Sequence, residues 1–396
     1  MKAIILSDIH LGRYKYGKMD LQQGIDTRTQ DILNNIDQMI EYAIKNKADI
    51  IIITGDLYHI KRPDQVFRRL LTQKIEKMLA NKFEVFIILG NHDQGRTKGH
   101  DLVELVELSS QILNLHVIEK EEIHYIQKYN ALLCFFPYIN RIEMDVKKED
   151  FYEYQIEHIK KMQEKASVSN AKNKLFFAHF GTDRSELGNS VDLGQISIGK
   201  TIPLKIFDEK VWTKVYLGDI HKHQELNDFC RHMGSWCKVD FGEEGEVIGF
   251  YHYEDGNDKF VEIEDRPFIT IEEDLSKDAT KIDVLYQIIK MEPGLKNAIT
   301  RLKLKIRAID RKILDIDSLE KLLKEQSWNY VGKTLTEIND ENSVEITVKE
   351  MAELNHADVF LKYIENKKSE SEEDVYKIIV EEGKKALEQV LNIEEK

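Results

Sequence analysis

Five short apolar runs in this chain each end on residues that bind divalent cations. Asp8-Ile9-His10 follows KAIIL, Gly55-Asp56 follows DIIIIT, and Gly90-Asn91-His92-Asp93 follows FEVFIIL; His179 closes KLFFA, and Gly218-Asp219-Ile220-His221 follows KVYL. Carboxylate, imidazole and amide donors suit borderline-hard ions such as Mn²⁺. Side chains alternate along an extended segment, so Asp8 and His10 point to the same side and one strand end offers two ligands to one ion. A single Asp-x-His is ordinarily a surface pair or a satisfied core pair. Five metal-competent endings in order are not what chance produces, and they describe a metal centre.

The elements that must position these residues follow from hydrophobic periodicity. KAIILSD, a long amphipathic stretch from Thr27 to Asn46, ADIIIITGD, the stretch Asp64 to Ala80 and FEVFIILGNHD read as strand, helix, strand, helix, strand. In the first helix Ile32, Ile36, Ile40 and Ala43 recur at three- and four-residue steps and share one face. Helices also fit Asp101 to Leu115, and NALLCFFPYI, KLFFAHF and TKVYLGDIH read as further strands. Loops at strand ends are where sheet proteins build pockets. From Arg231 to about Glu264 the pattern alternates, with the turn-forming EDGND between two strands, which predicts a hairpin in a second sheet. After Arg266-Pro267 the pattern FITIEED, helical DVLYQIIKM, RLKLKIR, helical SLEKLLKE and polar NDENS predicts a small α/β accessory domain. The end of the chain is charged and helical in pattern, interrupted by KKSESEED, with only a narrow stripe of Val375, Ile378, Ile379 and Ala386. Such a helix needs a partner surface.

Bulk properties bound the function. At 396 residues and 42% hydrophobic content the chain has material for two or three folding units. No apolar run is long enough to span a membrane, and MKAIILSDIH meets an acid too early for a signal peptide, so a soluble cytoplasmic protein is expected. Cys134, Cys230 and Cys237 are few and odd in number, against a disulfide framework or structural zinc. A net charge of -14 means that any nucleic acid must be held by a local basic patch. Basic residues cluster after three site-bearing strand ends: Arg13, Lys15 and Lys18; Lys61, Arg62, Arg68 and Arg69; Arg96 and Lys98. They are either solvated faces or contacts for a phosphate backbone. Tyr14, Tyr16 and Tyr58 either stack on bases and sugars or pack. Along Arg301, Lys303, Lys305 and Arg307 a basic strand face lies opposite an apolar face of Leu302, Leu304 and Ile306. The segment Gly194 to Thr201 matches the P-loop pattern, but polar NSVD precedes it and Ile202-Pro203 follows, so the strand and helix that the motif requires are missing.

The order DxH, GD, GNHD, H, GxxH resembles the calcineurin-like metallophosphoesterase superfamily. Within it Gly55-Asp56-Leu57-Tyr58-His59 with Arg62-Pro63, and Gly234-Ser235 with Val239-Asp240-Phe241-Gly242-Glu243, resemble the SbcD group of nucleases, bacterial and phage relatives of the Mre-eleven nuclease. The likeness is strong to about Glu264 and looser beyond. It implies an α/β fold: a four-layer αββα sandwich over 1–265, a smaller α/β capping and DNA-recognition domain over 266–347, and C-terminal helices over 348–396 for an ATPase partner. It implies that Asp8, His10 and His221 hold one ion, that Asn91, His179 and Asp219 hold the other, and that Asp56 bridges both. His92 would stabilise charge on the phosphorane or protonate the leaving oxygen, Asp93 would orient it, and His59 would position the phosphate. Where the family has GHxH this chain has Gly218-Asp219-Ile220-His221. Asp219 favours hard ions, two Mn²⁺ or Mg²⁺; the alternative is that it turns away and His223 takes its place.

The activity implied is a Mn²⁺-dependent DNA nuclease, exonucleolytic from duplex ends and endonucleolytic on single strands. It would act as a homodimer with an SbcC-like coiled-coil ABC ATPase in a bacterial or phage-infected cytoplasm. Arg13, Lys15, Lys61, Arg62, Arg96 and Lys98 are the candidate DNA contacts. Two other readings stand beside it: an esterase or diesterase for small phosphates, and a non-catalytic DNA-end scaffold for the ATPase.

Overall fold

The computed structural model describes residues 1–12, 15–60, 62–93, 103–139, 150–186 and 201–338. The Gly194–Lys200 part of the P-loop match, the NDENS loop and the segment 348–396 lie outside the described residues.

Two six-stranded sheets form the body of the fold. The first runs in the order Asn257–Glu262, Gly249–Glu254, Lys2–Leu6, Ile50–Ile53, Glu84–Ile88, Leu115–Ile118. Its last four strands are parallel, and Gly249–Glu254 pairs antiparallel with Lys2–Leu6. The second runs Gln224–Glu225, Cys230–His232, Lys214–Gly218, Asn173–His179, Ala131–Phe136, Glu122–Ile126, with a parallel centre. Alternation assigns each strand's two faces to different layers. Ala3, Ile5, Ile50, Ile52, Phe86 and Ile88 meet Leu133, Phe135, Leu175, Phe177 and Tyr216 of the second sheet in one core. Ile4, Leu6, Ile51 and Ile53 turn instead to the helices Thr27–Asn46 and Gln65–Ala80. The far face of the second sheet packs on Ile159, Met162 and Ala166 of the helix Phe151–Ser167. The layers are therefore helix, sheet, sheet, helix. That both central sheets are covered explains why IIII at 50–53 is a continuous apolar run, fully buried.

The long helix spans Thr27–Asn46, with Asp26 as N-cap accepting from the Arg28 amide at 2.8 Å. Ile32, Ile36, Ile40 and Ala43 are wholly buried; each isoleucine contributes about 1.5–3 kcal/mol of transfer free energy. The EDGND hairpin forms between Gly249–Glu254 and Asn257–Glu262. It does not found a second sheet, as the alternation suggested, but extends the first one beside Lys2–Leu6. A hairpin pattern specifies its own pairing and leaves open which edge it joins.

Beyond Arg266 the strands Phe268–Asp274, Ile299–Arg307 and Asn329–Ile338 form a three-stranded sheet in that order, with helices Lys281–Met291 and Ile316–Gln326. By internal packing the described residues divide into two compact units: one holds Met1–Glu273, Ile282–Lys303 and Asp315–Thr334, and the other holds Asp274–Lys281, Leu304–Leu314 and residues 335–338. No described helix is long and apolar enough to cross a membrane.

Candidate metal centre

The parallel strands Lys2–Leu6 and Ile50–Ile53 carry their pairing past their ends, and this aligns the first two motifs. Asp8 donates its amide to Gly55 O at 3.1 Å, His10 to Asp56 O at 2.9 Å and Leu11 to Leu57 O at 2.9 Å. Asp8, His10, Asp56 and Asp219 all have φ between 48° and 79°, a region that non-glycine residues seldom adopt. Four donors on strained backbone in one place is the pattern of a functional site held by the packing around it. Gly90 is required for close approach: a Cβ there would lie 2.1 Å from Asp56 Oδ1.

The donors converge. His10 Nε2 lies 3.0 Å from His221 Nε2, 3.6 Å from Asp56 Oδ2 and 3.9 Å from Asp8 Oδ1. His179 Nε2 lies 3.4 Å from Asp56 Oδ2, 3.9 Å from Asp219 Oδ1 and 3.0 Å from Asn91 Oδ1. An octahedral ion with bonds of about 2.1 Å sets neighbouring ligands about 3.0 Å apart, so these spacings suit ions seated among them. The inner amide atom of Asn91 is also 3.0 Å from Asp56 Oδ2; two oxygens there repel unless a cation lies between them or the amide turns. Asp8 Oδ1, buried, accepts no hydrogen bond among the described residues. Two rings have their tautomer set from behind. His179 Nδ1 donates to Thr54 O at 2.7 Å, and His221 Nδ1 meets Glu243 Oε1 at 3.1 Å, which leaves each Nε2 as the inward atom.

Burial governs the charges. It pushes Asp8 up to about 7, with the Asp56 carboxylate adding to the effect and His179 opposing it. It raises Asp219 as well. Burial works against Asp56 too, but His179 beside it holds its carboxyl below the ordinary range, and Asp56 in turn keeps the His179 ring well above its ordinary value despite burial. A cation must displace the Asp8 proton and the His179 proton, so Mn²⁺ affinity is expected to rise with pH through about 7 and beyond, about tenfold per unit for each competing proton. With the metal chelated away, the contribution of Asp8 to stability is fully present below its ordinary 3.8 and is lost as pH rises through about 7. Stabilisation by added metal should therefore grow over that window. Calorimetric titration in two buffers of different ionisation enthalpy checks the proton release, and a flat affinity from pH 5 to 8 would contradict it.

The remaining expected residues fall out differently. His92 lies at the site with its ring 4.9 Å from that of His10 and stacked on His59 at 5.7 Å. Its Nδ1 bonds to the His59 carbonyl at 2.7 Å, and its amide donates to Asp56 Oδ1 at 2.8 Å. The expectation that Asp93 orients this ring is corrected: the Asp93 carboxylate, fully buried, accepts instead from the amides of Gly90 at 2.9 Å, Leu57 at 3.0 Å and Tyr58 at 3.4 Å. Asp93 thus ties the GNHD turn to the GD turn. Asp93→Ala would strand three buried amides and should cost about 3 kcal/mol or more, read as a fall in the urea midpoint; a variant of unchanged stability would restore the orienting role. The alternative ligand His223 faces away, with Nε2 on Tyr251 OH at 2.8 Å and its ring stacked on Phe260 at 3.8 Å. Asp219 is the residue at the site.

Of the candidate DNA contacts, Lys15 is exposed with Nζ 3.9 Å from Asp240, and Arg62 is exposed. Arg13, Lys61, Arg96 and Lys98 lie outside the described residues, as does Tyr14. Tyr58 is buried, and Tyr16 packs edge-on against Phe241 and Phe268. The basic face of Ile299–Arg307 is matched by acids: Lys303 lies 3.9 Å from Glu272, Lys305 3.6 Å from Asp274 and Arg307 2.7 Å from Asp310. Sequence reasoning did not find the part played by Glu243. The signal was its place in the Gly234-to-Glu243 motif, whose Ser235 amide also donates to His221 O at 2.8 Å.

The family model of calcineurin-like phosphoesterases matches residues 1–263. The chain is 24% identical over 291 residues to the DNA double-strand break repair protein Mre11 of Methanocaldococcus jannaschii, covering 68% of this chain and 69% of that one. It is 24% identical over 255 residues to the SbcD component of the nuclease SbcCD of Staphylococcus epidermidis, covering 63% and 65%. The chain thus spans about two thirds of these relatives' lengths. A dimetal phosphatase from Danio rerio superposes with a TM-score of 0.37 at 9% identity, over 64% of this chain and 91% of that one. With the family match covering both sheets and every strand end that carries a donor, the chain belongs to the calcineurin-like phosphoesterase family and is a metal-dependent phosphoesterase.

Proposed function

We propose that this chain is a Mn²⁺-dependent DNA nuclease, acting exonucleolytically from duplex ends and endonucleolytically on single strands. The observation that carries the two-ion reading is the place of Asp56: its Oδ2 lies 3.6 Å from His10 Nε2 on one side and 3.4 Å from His179 Nε2 on the other. A carboxylate so placed serves both ions. Asp8, His10 and His221 would hold one ion, Asn91, His179 and Asp219 would hold the other, and Asp56 is the carboxylate that the two groups would share. When bound, divalent ions there would supply an acidified water and charge stabilisation for in-line displacement at phosphorus. Asp219, an oxygen donor, favours Mn²⁺ or Mg²⁺ over softer ions. His92, its Nδ1–H engaged by the His59 carbonyl, has Nε2 available to the phosphate or the leaving oxygen. His59, stacked beside it, orients the phosphate.

DNA as the substrate rests on the relatives named for double-strand break repair and for the SbcCD nuclease, together with the SbcD-type motif built around His221. On the same support, the chain is the nuclease subunit of a complex with an SbcC-like ABC ATPase, paired as a homodimer, in the cytoplasm. Lys15 and Arg62 are the described candidates for backbone contact.

The test is cleavage of an end-labelled duplex with Mn²⁺ by the purified chain, beside Asp8→Ala and bis-(p-nitrophenyl) phosphate. Cleavage of both substrates, lost in the variant, is the expected result. Hydrolysis of the small ester alone, also after addition of the ATPase subunit, would replace the nuclease with a small-phosphate esterase. Tight DNA binding with no metal uptake would leave a scaffold.

A further inference from the structure

The short turn Phe241–Glu243 has one residue on a histidine of the site and its neighbours on the three-stranded sheet. Glu243 is buried, and its carboxylate is fully engaged: Oε1 faces His221 Nδ1 at 3.1 Å, while Oε2 accepts from the Val239 amide at 2.7 Å and from Ser235 Oγ at 3.3 Å. A carboxylate only accepts, so the hydrogen of a neutral His221 ring sits on Nδ1 and its lone pair on the inward Nε2. Phe241 is packed edge-on against Phe268 at 5.0 Å, and the Arg301 guanidinium lies 4.2 Å over its ring. Glu244 accepts from the Thr270 amide at 2.6 Å and from the Thr270 hydroxyl, which also accepts from Arg301 Nε at 2.8 Å. Asp240 closes the turn by accepting from the Gly242 amide at 2.8 Å. Consecutive Cα atoms are only ~3.8 Å apart, so a shift of Phe268 or Thr270 reaches Glu243 through one or two peptide units.

We propose that Glu243 is the positioning residue that fixes the metal-binding tautomer of His221, and that Phe241 and Glu244 make this tautomer, and hence ion affinity at His221, depend on the seating of the strands that carry Phe268, Thr270 and Arg301. This rests on the reading of His221 as a ligand and adds to it a route by which displacement of those strands alters the site. Glu243→Gln is the decisive change. The Val239 amide is a fixed donor, so the amide oxygen of the glutamine must face it, and the NH₂ group then faces His221. The ring has to accept at Nδ1 and carry its hydrogen on Nε2, where it blocks an ion.

The experiment uses the full chain, ¹⁵N-labelled at histidine, with metal chelated and then with Mn²⁺ titrated back. The His221 resonance, assigned by its loss in His221→Gln, should report Nδ1–H in the wild type and Nε2–H in Glu243→Gln. Mn²⁺ should bind roughly 10–100-fold more weakly at one of its two sites in that variant. Thr270→Val and Arg301→Met, whose contacts are with Glu244 and Phe241, should weaken the same site roughly twofold to thirtyfold with the fold intact by circular dichroism. Nε2–H in the wild type, a measurement that needs no variant, would overturn the tautomer assignment. Unchanged Mn²⁺ binding in both of these variants would overturn the coupling. Failure of the wild type to bind Mn²⁺ at all, or full binding by His221→Gln, would instead strike the ligand reading itself.

Discussion

Asp56→Ala should lose both ions and all Mn²⁺-dependent turnover. The residue is 1% exposed, and every atom of its carboxylate is in use: Oδ1 accepts from the His92 amide, and Oδ2 faces His10 and His179. Removal takes away the carboxylate that both donor groups share and the partner that charges His179. Losing the ions removes several kcal/mol of transition-state stabilisation, a fall of about a thousandfold or more. The backbone φ of 54° suits alanine less well than aspartate, costing about 1–2 kcal/mol. Asp56→Asn is therefore the companion variant, since asparagine tolerates that backbone while lacking the charge. Bound manganese per chain after desalting, together with hydrolysis of bis-(p-nitrophenyl) phosphate, decides it. Two ions and normal turnover in the alanine variant would end the bridging assignment.

The donors themselves were legible because each stands where an apolar run stops. A buried parallel strand has to be apolar on both faces, so the first polar residue past it marks the strand end, and in this fold the strand ends of both sheets meet at one place. What the sequence did not reveal is what bonds to what across long separations. Glu243 stands 22 residues from His221, and nothing in local pattern joins a turn glutamate to an imidazole. Asp93, next to His92 in the chain, invites the opposite error, since adjacency suggests a side-chain contact while the carboxylate folds back onto three amides. The strand Asn329–Ile338 escaped because its half-exposed pattern lacks alternation. The hairpin at 249–262 was visible as a hairpin, but its docking on Lys2–Leu6 is decided by packing between residues some 250 positions apart in the chain, such as Lys2 and Glu254.

His92→Ala should separate catalysis from metal binding. Its ring stands among those of His10 and His59, close enough that the three nitrogens form a geometrically possible ligand group. One observation argues against a ligand role. The groups Asp8, His10, His221 and Asp8, Asp56, His179 offer metal donors without it. The ring is only partly buried, so a phosphate entering from solvent can reach it. Both ions should stay bound in the variant, and turnover should fall roughly 10²–10⁴-fold, the range for a lost general acid or charge-stabilising group. The fall should appear in kcat more than in KM if the ring acts on the transition state. It should also be smaller for an ester whose leaving group is nitrophenolate than for DNA, because a good leaving group needs no proton. Equal losses on both substrates would assign His92 to charge stabilisation alone, and loss of one ion would make it a ligand after all.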